Sequence, residues 1–390
     1  MPIMASWLPM DEACRLLGVR PQTIYAYVSR GKLEVMPDPA DTRRSLYRTE
    51  DVAGMAKRKL AGRKRETLAA NALFGSEPSI PTALCSFFRG RPYYCGQDAV
   101  SLARTANLEE VAQLLWGAEL PVDFSSSAPM ALGKPGRVAA FTVLAGLAAV
   151  GHSTRGRLTR VLHNEGQSLV SQLANAFGAR QGSKPLHLRF AQGWKQPARV
   201  ADLLRTAMVL LVDHELTSSA FVARIAASTG ASLPACLLAG LTTLSGPLHG
   251  DASGRVQALF GDVMRMGEDK VMDHHLSTGL PLPGFGHHLY PDGDPRAAAL
   301  LALFEPPEGI ARFIEKVTDL TGMQPNIDVA LAALVAHHRL PADAAFGLFA
   351  TARSVGLLAH SMEQLAEPQV IRPRGRYVGP MPNVPQGART

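Results

Sequence analysis

The hydrophobic positions along the chain recur mostly at helical spacing. Between Arg199 and Glu215 the apolar residues fall at intervals of about three or four, as on one face of a helix, and they are Val200, Leu203, Leu204, Ala207, Met208 and Leu211. The apolar run from Val138 to Gly151 is shorter than the roughly 20 residues that a membrane span requires, so we expect a buried helix. Period-two alternation is scarce, and no repeat of about 20 to 50 residues is evident. The pattern predicts a mainly α body.

The first part of the chain shows two short helices around a turn. Asp11 to Gly18 is predicted as a helix with three inward residues, Ala13, Leu16 and Leu17. Gly18 to Pro21 forms a tight turn, and Gln22 to Arg30 is predicted as the second helix. Pro and Asp residues between short apolar pieces predict a hairpin from Gly31 to Tyr47, with two arginines just after its tip.

A helix that follows such a turn enters the DNA major groove in helix-turn-helix proteins. Polar side chains on this helix, and the arginines after the hairpin tip, are therefore candidate DNA contacts, and they are Gln22, Thr23, Tyr25, Tyr27, Arg30, Arg43 and Arg44. The segment from Met10 to Met55 resembles the winged helix-turn-helix of MerR and excisionase proteins. A small docking domain that keeps this fold without binding DNA is the alternative.

The positive charge is concentrated near the N-terminus. The chain has a net charge of +7, and residues 1–66 contain 13 Lys or Arg and 8 Asp or Glu. This local excess indicates a polyanionic partner for the first segment, although a solvated basic surface would have the same composition. The charge-dense stretch from Lys57 to Glu66 places a domain boundary near residue 66. We therefore expect domains at 1–66 and 67–390.

Several kinds of site are excluded by missing motifs. The four cysteines lie far apart, which predicts reduced thiols and neither a zinc site nor a disulfide scaffold. The adjacent pairs His287–His288 and His337–His338 point apart and there is no HExxH, so no metal is expected. Neither a GxxxxGKS/T phosphate loop nor a GxSxG elbow is present. No basic segment followed by an apolar stretch opens the chain, so a cytoplasmic location without membrane attachment is predicted.

Four ionisable residues occupy positions where the local pattern predicts apolar residues or turns. Arg353 follows Phe349 by one helical turn, so its guanidinium emerges on an apolar face and needs an anion, either an internal carboxylate or a ligand. His249 and His287 follow glycines. Such glycines permit close approach of a ligand, but they are also found next to histidines that only cap a helix or lie at the surface. Asp328 opens an apolar run, where a first-turn carboxylate also favours the helix dipole. Each residue taken alone admits a structural explanation.

Six ordered segments change this picture. They are DHE at Asp213–Glu215, GPLHG at Gly246–Gly250, GFGHHLYPDGDPR at Gly284–Arg296, PNID ending at Asp328, ARSVG and IRPRGRYVG. In order and approximate spacing they resemble the citrate synthase family from about residue 85 to 380, and GFGHxxYxxxDPR is the most specific part. The resemblance implies all-α large and small domains, with the small domain inserted at roughly 262–346.

The resemblance also implies a role for each matching residue. Asp328 is expected to remove a proton from the α-carbon of an acyl-CoA, and His249 to donate a hydrogen bond to the thioester oxygen. His287 is expected to hydrogen-bond and protonate the oxaloacetate carbonyl. The expected oxaloacetate-binding residues are His214, Arg296, Arg353 and Arg372. The last of these would complete the site of a neighbouring subunit, so a homodimer is expected, and no permanently bound cofactor is implied.

The implied activity is condensation of acetyl-CoA with oxaloacetate and water to give citrate and CoA. Propionyl-CoA, giving 2-methylcitrate, is the nearest alternative substrate, because one methylene changes binding by only about 1–3 kcal/mol. A DNA-binding regulator whose synthase-like domain senses a ligand without turnover is the second alternative.

Two positions depart from the family pattern near these residues. Asp251 stands where the usual GGAN sequence has its second glycine, and Thr217 stands where asparagine is common. A carboxylate close to an imidazole favours the protonated ring. We therefore expect Asp251 to raise the pKa of His249.

Overall fold

The computed structural model of the chain describes residues 7–29, 31–39, 41–56, 80–125, 133–367, 369–372 and 378–379, without the side chains of residues 42 and 43. The chain divides into two compact units, which are Met1–Ser79 with Pro373–Thr390, and Ile80–Arg372. Each unit has an apolar core of its own.

In the first unit, two short helices flank a turn as predicted. Helix α1 spans Met10–Leu17 and ends at Gly18, whose φ of 58° is the left-handed conformation that favours glycine. Helix α2 spans Pro21–Ser29. The prediction that Leu16 points inward is wrong, because its side chain is 53% exposed. The buried stripe of α1 is narrow and consists of residues one turn apart, Ala13 and Leu17.

A small antiparallel sheet completes this unit. Its strands are β1 (Trp7–Pro9), β2 (Val35–Asp38) and β3 (Asp41–Arg48), in the order β1-β3-β2. The predicted hairpin is present, but its second strand begins at the tip, so Arg44 lies on β3 itself. Residues 49–56 are the described part of helix α3. The buried core of the unit is small, and it contains Ala13, Leu17, Ile24, Leu33, Tyr47 and Val52.

The second unit is mainly helical, as predicted. It begins with strands β4 (Cys85–Phe88), β5 (Arg91–Tyr94) and β6 (Gln97–Asp98). The helices that follow are α4 (Ala99–Thr105), α5 (Leu108–Trp116), α6 (Arg137–Val150), α7 (Thr159–Ala176), α8 (Leu186–Gly193), α9 (Ala198–Leu211), α10 (Ser218–Ser228), α11 (Leu233–Leu244), α12 (Ala252–Met266), α13 (Glu268–Thr278), α14 (Pro295–Leu301), α15 (Glu308–Thr321), α16 (Ile327–His338) and α17 (Ala344–Leu365).

The sheet formed by β4, β5 and β6 corrects the expectation of an all-α body. The strands pair in antiparallel fashion in the order β4-β5-β6. The turn at Arg89 and Gly90 has positive φ values of 48° and 70°. Two-residue hairpins need this backbone but usually obtain it with Asn-Gly or Asp-Gly. Strands of two to four residues also show too little alternation for a pattern to be recognised.

Helix α17 runs through the large core, and its residues are buried from Ala344 to Ser361. It packs against α5, α7, α9, α10 and α11. Helix α9 follows the predicted periodicity but ends at Leu211, before the DHE segment. An apolar helix that is covered on all sides holds the ionisable residues it carries in a low-dielectric setting.

Helix α6 coincides with the apolar run that was expected to be buried, but only one side of it is covered. Val138 is 82% exposed and Val150 is 73% exposed. The run lacks charged residues inside the helix, so the sequence could not show which side faces the core. Within the described ranges, no helix is both long and apolar enough to cross a membrane.

A second apolar core lies between α12, α13, α15 and α16. Its buried residues come from positions 256 to 333 and include Phe260, Phe285 and Phe313. The large core draws its members from before and after this stretch of sequence, and also from within it, at Ala297, Leu300, Ile327, Ala330 and Leu331. The insertion of a small domain at roughly 262–346 stays a prediction.

Candidate active site

His214 lies in the short connection between α9 and α10, where its imidazole is buried. Its Nε2 atom is hydrogen-bonded to the Tyr290 hydroxyl at 2.8 Å. The ring centroid lies 4.9 Å from that of Phe87 and 5.3 Å from that of His287, both in edge-on geometry. Burial lowers the pKa of His214 well below its usual value, and nearby arginines add to the effect. The residue is therefore a neutral hydrogen-bonding group.

The segments GFGHH and PNID lie side by side and run antiparallel. The Gly286 N–H donates to the Gln324 carbonyl at 2.8 Å, and the Asn326 N–H donates to the Gly284 carbonyl at 2.9 Å. These two hydrogen bonds fix the position of the residues that follow each segment. The two loops that lead to His287 and to Asp328 are thus held against each other.

Gly284 is required where this loop crosses two helices. Its φ is 85°, and an added Cβ atom would lie 2.6 Å from Val256 on α12 and 2.7 Å from Val329 on α16. Both distances are too short for carbon atoms, so only glycine fits without displacement of the helices. The close crossing explains why this glycine precedes His287.

His287 has a defined tautomer. The Leu289 N–H donates to its Nδ1 atom at 3.2 Å, so in the neutral ring the proton is on Nε2. Burial lowers the pKa of His287 to about 4, with Arg296 adding to the effect and Asp294 opposing it. Near pH 7 this side chain is a neutral imidazole with an N–H donor on Nε2.

Arg296 is the second residue of helix α14 and is almost fully buried. Its Nε and Nη2 atoms donate to the two carboxylate oxygens of Asp294, at 3.0 and 2.8 Å. Asp294 also accepts the Ile327 N–H at 3.0 Å, which joins α14 to the start of α16. Two of the guanidinium nitrogens are therefore held in place by a paired carboxylate, and Nη1 makes no hydrogen bond to a described residue.

Arg353 lies in the middle of α17 and is 1% exposed. Its Nε atom donates to the Leu211 carbonyl at 3.0 Å, and its guanidinium carbon lies 5.0 Å from the Phe349 ring centre. Among the described residues, no carboxylate oxygen lies within the 4.0 Å of an ion pair. Burial lowers the pKa of Arg353, and Asp213 opposes this effect at longer range. A buried arginine with free donors is a site for an anion.

The segment that carries His214 packs tightly on α17. At Gly356 an added Cβ atom would lie 2.4 Å from the Val212 carbonyl oxygen and 2.7 Å from Asp213 Oδ1. Asp213 is buried, and its Oδ1 atom lies 3.3 Å from His360 Nε2. The glycine of the ARSVG segment is thus explained by the close approach of this backbone.

His249 lies in the turn between α11 and α12. Its Nε2 atom is hydrogen-bonded to the Ser219 hydroxyl at 2.8 Å, and that hydroxyl contacts the Thr217 hydroxyl at 3.1 Å. Burial lowers the pKa of His249 to about 4, and the charge of Arg353 acts in the same direction. Thr217, one of the two departures from the family pattern, therefore orients a neutral histidine through a serine.

The expectation that Asp251 raises the pKa of His249 is wrong. Asp251 instead forms an ion pair with Arg137 at the start of α6, with an Nη2–Oδ1 distance of 2.7 Å. The guanidinium carbon of Arg137 also lies 4.0 Å from the Phe346 ring centre. The paired arginine compensates the extra carboxylate, so burial decides the state of His249.

Asp328 occupies the first turn of α16 and is 9% exposed. Its N–H donates to the side chain of Asn326 at 3.0 Å, while its carboxylate Oδ1 has no partner among the described residues. Burial raises the pKa of Asp328 to about 7, and Asp294 adds to the effect, while Arg296 opposes it. A carboxylate that only favoured the helix dipole would be exposed and more acidic. The capping explanation is therefore insufficient.

Electrostatic interactions join the predicted residues into one cluster. The charge of Arg353 acts on His214, His249 and Asp328, and the charge of Arg296 acts on His214, His287 and Asp328. Six of the seven residues expected in the site are therefore neighbours. The seventh, Arg372, is exposed. It follows Ile371, whose N–H donates to Ser228 on α10 at 3.1 Å, and it has no described contact with the cluster.

The candidate DNA contacts have different surroundings. Gln22 and Tyr25 are exposed on α2, Thr23 is half-buried, and Arg44 is exposed and lies 3.5 Å from Asp41. Tyr27 is half-buried and packs against the core of the first unit, and its contact with DNA stays a prediction. Arg30 lies outside the described residues, and the side chain of Arg43 does as well.

Sequence reasoning missed several residues that shape the cluster. They are Phe87, Ser219, Ser253, Tyr290 and Asp294. Two of these lie inside the quoted GFGHHLYPDGDPR segment, so the motif itself was a signal. The Asp-Pro-Arg order also marks a helix start, with an aspartate cap before a proline. The others come from distant elements, and no local pattern identifies them.

The arrangement can bind an anion and move a proton. Two buried arginines and the histidines suit a small dicarboxylate, whose oxygens match planar guanidinium groups. A carboxylate with a pKa of about 7 is a suitable general base near neutral pH. In the part of the chain that the structure describes, no group of three or more His, Cys, Asp or Glu side chains is placed to hold a metal.

Comparison with known proteins agrees with this arrangement. Residues 138–374 match the family model described as "Citrate synthase, C-terminal domain". A Mycobacterium bovis relative, whose citrate synthase name is provisional, is 33% identical over 208 residues, which are 50% of this chain. That match spans only 56% of the relative's own length. The citrate synthase of Haloferax volcanii is 28% identical over 345 residues, covering 74% of this chain and 90% of that protein.

The fold has relatives among solved structures. The citrate synthase of Thermoplasma acidophilum, in a ternary complex with carboxymethyl coenzyme A and oxaloacetate, superimposes with a TM-score of 0.66 at 20% identity. The superposition covers 82% of this chain and 99% of that one. Identity this low shows the fold alone. Since the family model matches more than half of the residues, however, the chain belongs to the citrate synthase family.

Proposed function

We propose that the protein condenses an acyl-CoA with oxaloacetate and water and releases CoA. The observation that carries the proposal is the buried Asp328 carboxylate, with a pKa of about 7, in one cluster with the neutral His249 and His287. The charge of Arg353 acts on Asp328 and His249, and the charge of Arg296 acts on Asp328 and His287. A carboxylate is a weak base for a C–H bond, so it needs a donor that stabilises the developing enolate. The ligands of the Thermoplasma acidophilum structure support the choice of substrates.

On the acyl-CoA side, Asp328 takes the α-proton while His249 stabilises the thioester oxygen. When Ser219 donates its hydroxyl hydrogen to Nε2 of His249, the proton of the neutral ring is on Nδ1. That N–H is then the donor for the developing enol oxygen. A neutral imidazole is a suitable donor because it does not have to lose a full charge as the reaction proceeds.

On the oxaloacetate side, the N–H on Nε2 of His287 donates to the ketone oxygen. Arg353, Arg296 and His214 hold the carboxylates. The enol carbon attacks the ketone carbon, and the ketone oxygen takes the proton from His287 as the new bond forms. Water then hydrolyses the thioester, giving a carboxylate and the free CoA thiol. The product from acetyl-CoA is citrate.

The acyl group stays open between acetyl and propionyl. Asp328, His249 and His287 perform the same steps on either thioester, because both carry an acidic α-carbon. A single methylene separates the two substrates and is worth about 1–3 kcal/mol in a fitted pocket. We propose acetyl-CoA as the substrate and keep propionyl-CoA, giving 2-methylcitrate, as the alternative.

The rate of condensation should depend on pH through Asp328. The base acts only when ionised, so kcat/KM for the acyl-CoA is expected to rise with pH and level off above an apparent pKa of about 7. His249 and His287 lose their protons near pH 4 and add no further step above about pH 5. Thiol release measured from about pH 5 to pH 9 tests this. A flat profile across neutral pH would argue against Asp328 as the base.

We also propose that the protein works as a homodimer. Helix α6 has an apolar side left uncovered, with Val138 and Val150 largely exposed, and its exposed residues between them include Thr142, Ala145 and Ala149. An exposed apolar helix face of this kind is typical of an interface between subunits. A dimer would also give exposed Arg372 a place in the partner's site.

The second apolar core is an argument for a separate small domain that can move. It contains Val329 beside the base and Phe285 beside His287, whereas Arg353 belongs to the large core. Residues of the site therefore come from both cores. We propose that the insertion at roughly 262–346 is a small domain that closes over bound substrates and excludes water.

For the predicted domain at residues 1–66, which lies in the first unit, we propose binding to DNA through a winged helix-turn-helix. The uncovered side of α2 presents Gln22, Tyr25 and Ser29, and the described residues of this helix include no acidic side chain. The exposed Arg44 on β3 suits a phosphate contact. The net charge of +5 for this segment points in the same direction.

Replacing Arg44 by Ala should weaken DNA binding and reduce its salt dependence. Loss of one phosphate contact is expected to lower the slope of log K against log salt by about one. The measurement is a fluorescence titration of the full chain with labelled genomic fragments at several salt concentrations. Arg265→Ala, which removes an exposed arginine from the other unit, is the matched control. Binding that survives deletion of residues 1–66 unchanged would reject this proposal.

A regulator with a ligand-sensing synthase domain is the alternative to a DNA-binding enzyme. It would bind oxaloacetate without releasing CoA, so thiol release separates the two. The intact set Asp328, His249 and His287 favours the enzyme. The cytoplasmic location stays a prediction of the sequence.

A further inference from the structure

Two buried polar atoms near the start of α12 have no partner. The Ser253 hydroxyl is fully buried and makes no hydrogen bond among the described residues. The Oδ1 atom of Asp328 is also buried without a partner. An unsatisfied buried polar atom costs about 1–3 kcal/mol, so its presence usually marks a site of function.

The two residues lie at the starts of helices that pack against each other, since a Cβ atom at Gly284 would touch both Val256 on α12 and Val329 on α16. Ser253 is the second residue of α12, where helix N–H groups have no partner within the helix. The Ser253 N–H lowers the pKa of Asp328 and so favours the ionised carboxylate. The hydroxyl belongs to the same residue and can adopt other staggered rotamers, as the contact proposed below requires.

The other charged groups near Asp328 lie on neighbouring elements. Asp294 and Arg296 at the start of α14 bind each other. Arg353 on α17 acts on Asp328 from a distance. On the α12 side, Asp251 is paired with Arg137, Arg255 contacts the Pro247 carbonyl at 3.4 Å, and the nearby His249 is neutral. On the α12 side of the carboxylate, the Ser253 hydroxyl is a buried donor that has no hydrogen-bond partner among the described residues.

We propose that Ser253 is a positioning residue for Asp328, and that its hydroxyl donates a second hydrogen bond to the carboxylate when this is ionised. The proposal rests on the proposed function, in which Asp328 is the base. The N–H and O–H of one residue would then hold the carboxylate at two points. This contact aims the free oxygen at the acyl-CoA α-carbon and limits how basic the carboxylate becomes.

The test compares Ser253→Ala with Ser253→Thr, which keeps the hydroxyl. Loss of a hydrogen bond to the ionised form should raise the pKa of Asp328, so the rising limb of the kcat/KM profile moves up by about 0.5 to 1 pH unit in the alanine variant. The threonine variant should return the limb towards the wild-type position. The matched control is Ser361→Ala, a buried serine whose hydroxyl donates to the Leu357 carbonyl, and it should leave the limb in place.

A second readout does not need activity. The pKa of Asp328 is about 7 in the folded state and has the usual value of 3.8 in the unfolded state. Between these pH values the folded state binds one proton more than the unfolded state, so stability falls as pH rises from about 4 to 7. Asp328→Asn removes this fall. For Ser253→Ala, the unfolding free energy is compared with that of the double variant Ser253→Ala/Asp328→Asn at each pH. The loss of stability with rising pH should then extend to a higher pH than in the wild type.

The outcomes separate the two proposals. An inactive wild type with the expected shift in the stability curve would overturn the proposed function and keep the Ser253 contact. An active wild type whose profile and stability curve are unchanged in Ser253→Ala would overturn the Ser253 contact alone. If the alanine variant does not fold, Ser253→Cys has a similar size and a weaker donor, and the same upward shift, only smaller, is expected.

Discussion

Asn in place of Asp328 is expected to lower the rate of thiol release by at least about 10³-fold while leaving oxaloacetate binding nearly unchanged. The amide has a similar shape but cannot take up the α-proton. The dicarboxylate is held by Arg353, Arg296 and His214, none of which needs the carboxylate. The measurements are kcat for thiol release and the calorimetric Kd for oxaloacetate.

The same substitution should stabilise the folded protein. Asp328 has its pKa raised to about 7 by burial, so above that pH the wild type keeps a charge in an unfavourable place. The difference in unfolding free energy should be small near pH 4 and reach the order of 2–4 kcal/mol at about pH 8. Asp319→Asn, an exposed carboxylate on α15, is the control and should change neither property. Loss of oxaloacetate binding in Asp328→Asn would assign the residue to structure instead of catalysis.

Replacing Arg353 by Gln should weaken oxaloacetate binding by between about 30-fold and 4000-fold. Removing one partner from a buried, hydrogen-bonded charge pair costs about 2–5 kcal/mol, and about 1.4 kcal/mol corresponds to a factor of ten. Arg353 is the stronger choice over Arg296 because it has no carboxylate partner among the described residues, so its donors are available to the ligand.

The control for this experiment is Arg265→Gln, an exposed arginine on α12 that should leave the Kd unchanged. Thermal unfolding of both variants shows whether the fold is kept. A folded Arg353→Gln protein with wild-type affinity for oxaloacetate would place the dicarboxylate elsewhere. If Arg353→Gln weakened the binding of acyl-CoA alone, the dicarboxylate would also have to bind elsewhere.

Local patterns predicted the elements that depend on neighbours in sequence. The α1–turn–α2 order, the hairpin of β2 and β3, and α9 follow from periodicity and from glycine at a left-handed position. Elements decided by distant packing were not predicted. The exposed side of α6 and the exposure of Leu16 depend on what covers these helices, and composition alone does not record that.

The positions of the site residues came from the order of the six segments, because each residue alone had a structural explanation. Their chemical states could not be predicted. Arg296 and Arg353 look alike in sequence, yet one is paired with Asp294 and the other has no ion-pair partner among the described residues. Asp251 looked harmful to His249, but Arg137, which is 114 positions away in the chain, binds it. Such pairings depend on the tertiary fold.

The raised pKa of Asp328 shows the same limit. The sequence places this carboxylate in the first turn of a helix, where the dipole favours the charged form. Burial between α12, α14 and α16 acts in the opposite direction and is stronger. The elements that bury it are brought together by the crossing at Gly284 and the pairing of GFGHH with PNID. A local pattern therefore gives the residue its place but not its basicity.

The most direct test of the central proposal is release of the CoA thiol by the purified full-length protein. Acetyl-CoA and propionyl-CoA are supplied in turn, each with and without oxaloacetate, and the condensed product is identified by mass spectrometry. The proposed roles of Asp328, His249 and His287 predict thiol release that requires oxaloacetate and yields citrate or 2-methylcitrate in equal amount. Folded protein that binds oxaloacetate but releases no thiol from either acyl-CoA would contradict this and favour a ligand-sensing regulator.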